Sequence, residues 1–210
     1  MNPVANILFD FGNVIIDIDS AGAFDRIAAF RSEEVEEEVY RTKIIDLAER
    51  LEVASISSDY FIRGVLSLAT PEIKYTDVLD AWNSMLVGIP KYRFGMLDSL
   101  RQNFNLLMLS NTNQLHIAWV QEHLESIHGI DDFETRFFHD VYYSHIIKAR
   151  KPDAGAFHHV IEQSLITPEK TLFIDDVQEN LDTAASMGFQ VMLSPPEEEI
   201  AETLKILGYY

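Results

Sequence analysis

The chain has 210 residues, 47% hydrophobic and 24% charged, with 9 Gly and 7 Pro; that balance belongs to a globular protein and excludes disordered, fibrous and membrane-embedded chains. The absence of Cys excludes disulfides, thiolate nucleophiles and Cys-ligated zinc. A formal charge of −18, from 16 Lys+Arg against 34 Asp+Glu, repels nucleic-acid backbones and anionic lipid, so a small anionic substrate can bind only where cations are locally gathered.

Met1 to Ala5 carries no Lys or Arg and leads into a short apolar run, so no secretory signal is expected. No stretch reaches the ~18 apolar residues of a membrane span. Both features, with the missing Cys, lead to the expectation of a cytoplasmic protein. Ile7-Leu8-Phe9 is the first predicted strand and stops at Asp10. It is followed by ~95 residues without a convincing strand, far more than an ordinary βα connection. Residues 23–30, 35–51, 58–69, 75–86 and 91–104 repeat apolar positions at helical spacing. The last of these leads into a strand; the others make residues 17–88 a helical cap inserted after the first strand. Segments 1–16 and 89–210 are left as an α/β core. The acidic run Glu33, Glu34, Glu36, Glu37, Glu38 reads as a solvated helix start, where carboxylates suit the dipole.

The core segment then alternates. Leu106 to Leu109 stops at Ser110, Val141-Tyr142-Tyr143 at Ser144, Thr171 to Ile174 at Asp175, and Val191 to Leu193 at Ser194. Short runs apolar at nearly every position read as strands buried on both faces. Residues 154–164, 177–187 and 197–207 between and after them are helical in pattern. Strand and helix in alternation make a doubly wound parallel α/β sheet, Rossmann-like in layout.

Such a sheet delivers Asp10, Ser110, Asn111, Asp175 and Asp176 to one edge, where open α/β sheets bind ligands. Lys151, just before Pro152, can reach the same edge. Singly, each has a structural explanation as a cap, a turn residue or a surface lysine. Together, three carboxylates in one crevice raise one another's pKa unless a cation intervenes. Oxygen ligands without Cys or a close His pair suit Mg²⁺. Mg²⁺ with one Lys and Ser/Asn donors can hold a phosphoryl group, and a carboxylate beside it can act as nucleophile.

Four stretches in order resemble the signatures of the haloacid dehalogenase-like (HAD) hydrolase superfamily: Phe9-Asp10-Phe11-Gly12-Asn13-Val14, Leu109-Ser110-Asn111-Thr112-Asn113, Arg150-Lys151-Pro152-Asp153 and Phe173-Ile174-Asp175-Asp176. The first two look most like the bacterial sugar-phosphate phosphatase branch that includes α-D-glucose-1-phosphate phosphatases. The resemblance implies Asp10 as nucleophile and Mg²⁺ ligand, the Gly12 carbonyl and Asp176 as further ligands, and Asp175 nearby. It implies Ser110, the Asn111 backbone and Lys151 as the phosphate cradle, and a small phosphorylated metabolite as substrate, with no nucleic-acid or membrane partner and an open oligomeric state. One departure stands out: many phosphatases of the superfamily carry a second Asp where this chain has Gly12. Losing a general acid costs ~10²–10⁴-fold unless water, a cap residue, His116 or an easy leaving group substitutes. His116 itself reads as a helix-surface histidine. The alternatives are a metal-free 2-haloacid dehalogenase, a sugar-phosphate mutase, and a catalytically weak binding or regulatory protein. The Asp175-Asp176 pair argues against the first, Gly12 against the second, and intact Asp10, Lys151 and Asp176 against the third.

Overall fold

A computed structural model describes residues 3–210; Met1 and Asn2, which open the expected core segment, lie outside the described residues. Five strands form one parallel sheet: β1 (Asn6–Phe9), β4 (Asn105–Ser110), β5 (Asp140–Tyr143), β6 (Thr171–Asp175) and β7 (Gln190–Leu193), in the order β5-β4-β1-β6-β7. Phe9 pairs with Met108 on one side and Ile174 on the other, so the chain leaves the central strand with a neighbour on each flank. β1, β4 and β6 are buried almost throughout, as continuous apolar runs require. β7 is an edge strand and departs from the expectation of burial on both faces, since Val191 and Leu193 point to solvent.

Alternation along the strands sorts the core into two layers. Ile7, Phe9, Leu106, Met108, Leu172 and Ile174 face one side, covered by α5 (Lys91–Leu100), α6 (Gln114–His123) with the π-helical turn Leu124–His128, α7 (Phe133–Phe137) and α11 (Ile200–Ile206). Leu8, Leu107, Leu109 and Phe173 face the other, covered by α9 (Ala154–Ser164) and α10 (Gln178–Ser186). This period-two division around central strands makes the fold doubly wound.

The long connection is helical but not wholly so. α1 (Ser20–Ala28), α2 (Glu37–Glu52), α3 (Ser58–Leu66) and α4 (Tyr75–Asn83) bury Ile27, Tyr40, Ile44, Leu47, Phe61, Val65, Val78 and Trp82 in a cluster of their own. Of the aromatic residues in these helices, Tyr60 and Tyr75 remain largely exposed. The Glu run lies before and at the start of α2, with all five side chains exposed. The expectation of no strand in this stretch needs correction: β2 (Asp17–Ile18) and β3 (Leu86–Gly88) pair antiparallel where the chain enters and leaves the helices. Two- and three-residue strands carry no periodicity, and this ribbon is held from outside. The buried Arg93 donates to the Ile15 carbonyl at 3.0 Å and to Asp17 at 2.7 Å, while Glu199, the N-cap of α11, accepts from it at 2.9 and 3.0 Å.

His116 also departs from its sequence reading. It is buried, its ring stacks on Trp82 with centroids 4.9 Å apart, and its Nε2 lies 3.3 Å from the Trp82 carbonyl oxygen. α6 is therefore covered by the helical insertion, and its inward face meets α4 rather than water. Burial lowers the His116 pKa to about 4, opposed by the Trp82 carbonyl. A histidine held neutral in the fold stabilises fully above its unfolded pKa, and that contribution is lost as the pH falls toward the folded value. Urea unfolding between about pH 7 and about pH 4.5 should lose up to about 3 kcal/mol through this group. In His116→Leu the pH-dependent loss should shrink by that amount; an unchanged slope would show that His116 is not held neutral.

Candidate active site

Three strand ends meet above the central strand. Asp10 follows β1, with its N–H bonded to the Ile174 carbonyl at 2.8 Å, so the sheet ladder fixes it. Asp175 ends β6 and is fully buried; Asp176 follows it, half-buried. Asp10, Asp175 and Asp176 each offer a carboxylate oxygen within 4.8 Å of the others. Ser110, buried, ends β4 two residues beyond the Phe9–Met108 rung, at the same sheet edge. Gly12 lies in the turn after Asp10, which closes when the Ile15 and Ile16 N–H groups donate to the Phe11 carbonyl at 2.8 and 2.9 Å.

Lys151 lies in the loop after the short helix α8 (Ser144–Ile147) and is buried. Its Nζ sits 2.7 Å from Asp10 Oδ1 and 2.6 Å from Asp175 Oδ2. The Asn111 carboxamide holds the lysine's backbone from both sides: its Nδ2 donates to the Lys151 carbonyl at 2.8 Å, and its Oδ1 accepts from the Lys151 N–H at 2.9 Å. The sequence reading gave Asn111 a role through its backbone; its side chain is committed to placing Lys151. The same reading brought Lys151 to this edge as a phosphate donor, and the structure adds that its ammonium pairs with two of the three carboxylates.

Each carboxylate has distinct support. Asp175 accepts from Lys151, from the Val177 N–H at 2.8 Å and from Asn180 Nδ2 at 2.9 and 3.1 Å. Asp176 accepts from Asn13 Nδ2 at 2.8 Å. Burial pushes the Asp10 carboxyl up to about 7; Lys151 pulls against this, and Asp175 and Asp176 push further upward. Burial likewise raises Asp176, with Asn13 pulling it down. Lys151 is raised despite its burial, because Asp10 and Asp175 stabilise its charge. One ammonium against three carboxylates leaves the cluster short of positive charge. Hard oxygen donors in that deficit fit a divalent cation of the Mg²⁺ kind.

The helical insertion reaches this loop too. Arg150, next to Lys151, pairs with Glu49 and Glu52 of α2, both at 3.1 Å. Asn13, Asn180 and Arg150 all stood in the sequence without an assigned role. Asn180 was open to inference, because it lies in the first turn of α10 on the heels of Asp175. Asn13 and Arg150 make contacts far along the chain that no local spacing encodes.

A family model described as haloacid dehalogenase-like hydrolase matches residues 4–188. The chain is 27% identical over 192 residues to the D-ribitol-5-phosphate phosphatase of Bacteroides thetaiotaomicron, covering 89% of this chain and 90% of that protein. A HAD family enzyme of the same organism, solved in complex with magnesium and inorganic phosphate, superposes with a TM-score of 0.84 at 26% identity, over 95% of this chain and 98% of that one. A HAD-like family hydrolase of Porphyromonas gingivalis gives a TM-score of 0.82 at 29% identity, over 97% of each chain. The three carboxylates and one lysine at the sheet edge thus sit in a chain that belongs to the haloacid dehalogenase-like hydrolase family.

Proposed function

We propose that the chain is a Mg²⁺-dependent phosphatase that hydrolyses small phosphomonoesters, with sugar or polyol phosphates as the favoured class. The observation that carries this is the Asp10–Lys151–Asp175 array beside Asp176: a nucleophile-grade carboxylate, a fixed ammonium and a carboxylate set that calls for a cation. The relative named as a D-ribitol-5-phosphate phosphatase and the neighbour holding magnesium and phosphate support the substrate class and the ion. The α-D-glucose-1-phosphate expectation rests on motif resemblance alone.

In this reading Asp10, the Gly12 carbonyl and Asp176 hold Mg²⁺, with Asp175 behind them. When bound, the ion neutralises phosphate charge at the reacting centre. Lys151 donates to a phosphate oxygen, Ser110 and the Asn111 backbone complete the cradle, and Asn111 keeps Lys151 in place. An Asp10 carboxylate oxygen attacks phosphorus, the ester oxygen leaves as the alcohol after taking a proton from water, and an aspartyl phosphate remains. Water then attacks phosphorus, releasing inorganic phosphate and restoring the Asp10 carboxylate.

Gly12 has no side chain to protonate the leaving oxygen, and a Cβ there would sit 3.3 Å from Ile18 Cδ1. The space over Gly12 is thus narrowed by Ile18, and the leaving group must depart with little acid assistance. p-Nitrophenyl phosphate should be hydrolysed with Mg²⁺ and not in EDTA, and Asp10→Asn should remove turnover. Chloride release from 2-chloropropionate without metal, or silence in both assays, would overturn the reading. Turnover should also fall steeply from p-nitrophenyl phosphate to phenyl phosphate. Gly12→Asp should flatten that dependence by up to ~10²-fold; equal dependence in both proteins would show that another group already supplies the proton.

A further inference from the structure

Lys151 fixes two of the three carboxylates, Asp10 and Asp175, and Asp175 has Val177 and Asn180 besides. Asp176 makes no ion pair among the described residues. Its side-chain donor is Asn13, whose Nδ2 lies 2.8 Å from Asp176 Oδ2 across 163 residues of sequence. A carboxylate only accepts, so the amide nitrogen, not its oxygen, must face it.

Asn13 is placed for this by its backbone. Its φ is 56°, a left-handed conformation that Asn and Gly tolerate and most residues resist. Its N–H donates to the Ile16 carbonyl at 2.8 Å, inside the turn that follows Asp10. The turn that carries the nucleophile therefore also carries the group that orients the carboxylate at the end of β6. Gly12, between them, puts no side chain in the way.

We infer that Asn13 is a positioning residue: its carboxamide holds one oxygen of Asp176 and leaves the other to a divalent cation shared with Asp10, so that Asn13 sets the metal affinity of the site. The inference rests on the cluster being a Mg²⁺ site. Without the amide, Asp176 is free to rotate away from Asp10 and Asp175, whose charges repel it. Partners that orient metal ligands are commonly worth about 10–100-fold in affinity.

The test is calorimetric titration of the substrate-free protein with Mg²⁺, which does not depend on turnover. Asn13→Gly keeps the left-handed turn without strain and removes only the amide. It should bind Mg²⁺ about 10–100-fold more weakly than wild type, while a cooperative urea transition shows that the metal-free variant still folds. Asn13→Ser also removes the amide without adding a charge to the cluster; it should likewise lose affinity, and it decides the matter if Asn13→Gly does not fold. Wild-type Mg²⁺ affinity in a folded Asn13 variant overturns the inference and leaves the phosphatase reading standing. Absence of Mg²⁺ binding in the wild-type protein overturns both.

Discussion

A buried ammonium between two buried carboxylates organises this molecule. Removing such charges from water costs several kcal/mol per ion after relaxation, and the cost is offset only by close pairing and further hydrogen bonds. Lys151 meets that condition with contacts of 2.6 and 2.7 Å. Its surroundings are built to hold those distances: the Asn111 carboxamide clamps its backbone, Asn180 and the Val177 N–H hold Asp175, and the sheet ladder fixes Asp10. Yet one cation does not balance three carboxylates. The remaining deficit favours a positive ion at the site.

The helical insertion controls what surrounds this pair. It has an apolar core of its own and joins the sheet layer through the β2–β3 ribbon. It meets the core again where Trp82 covers His116 and where Arg150 reaches Glu49 and Glu52. The second contact is adjacent in sequence to Lys151, so the position of α2 and the loop bearing Lys151 are mechanically linked. Arg93 ties the base of the ribbon to α11. Access to the strand ends is therefore shaped by elements that the sheet does not itself supply.

The central strands were legible because burial on both faces leaves an unmistakable apolar run that ends where the chain reaches the ligand edge, as at Phe9-Asp10 and Ile174-Asp175. The helix Ala154–Ser164 was equally plain, with Asp153 capping it and a clean apolar stripe. The β2–β3 ribbon was not, since its few residues depend on Arg93 and on Gly88 at φ 140° rather than on their own pattern. α7 went unread, being only five residues long, and α6 was read only through His116 and without bounds, because it buries one face in the core and another against the insertion, which blurs its period. His116 was misread for the same reason. At the site, the residue types at strand ends and Lys151 were readable, while Asn13 was not: it acts across the fold, and only the closed sheet brings it to Asp176.

The central claim is that the carboxylate held by Lys151 takes the phosphoryl group. Acid quenching of the Mg²⁺ enzyme during turnover of p-nitrophenyl phosphate, followed by mass spectrometry of the peptide spanning residues 6–16, tests it most directly. The account predicts one added phosphoryl group on Asp10, absent from Asp10→Asn and removed by hydroxylamine. Turnover with no phosphoryl group on Asp10, or with the label on another residue, would contradict it.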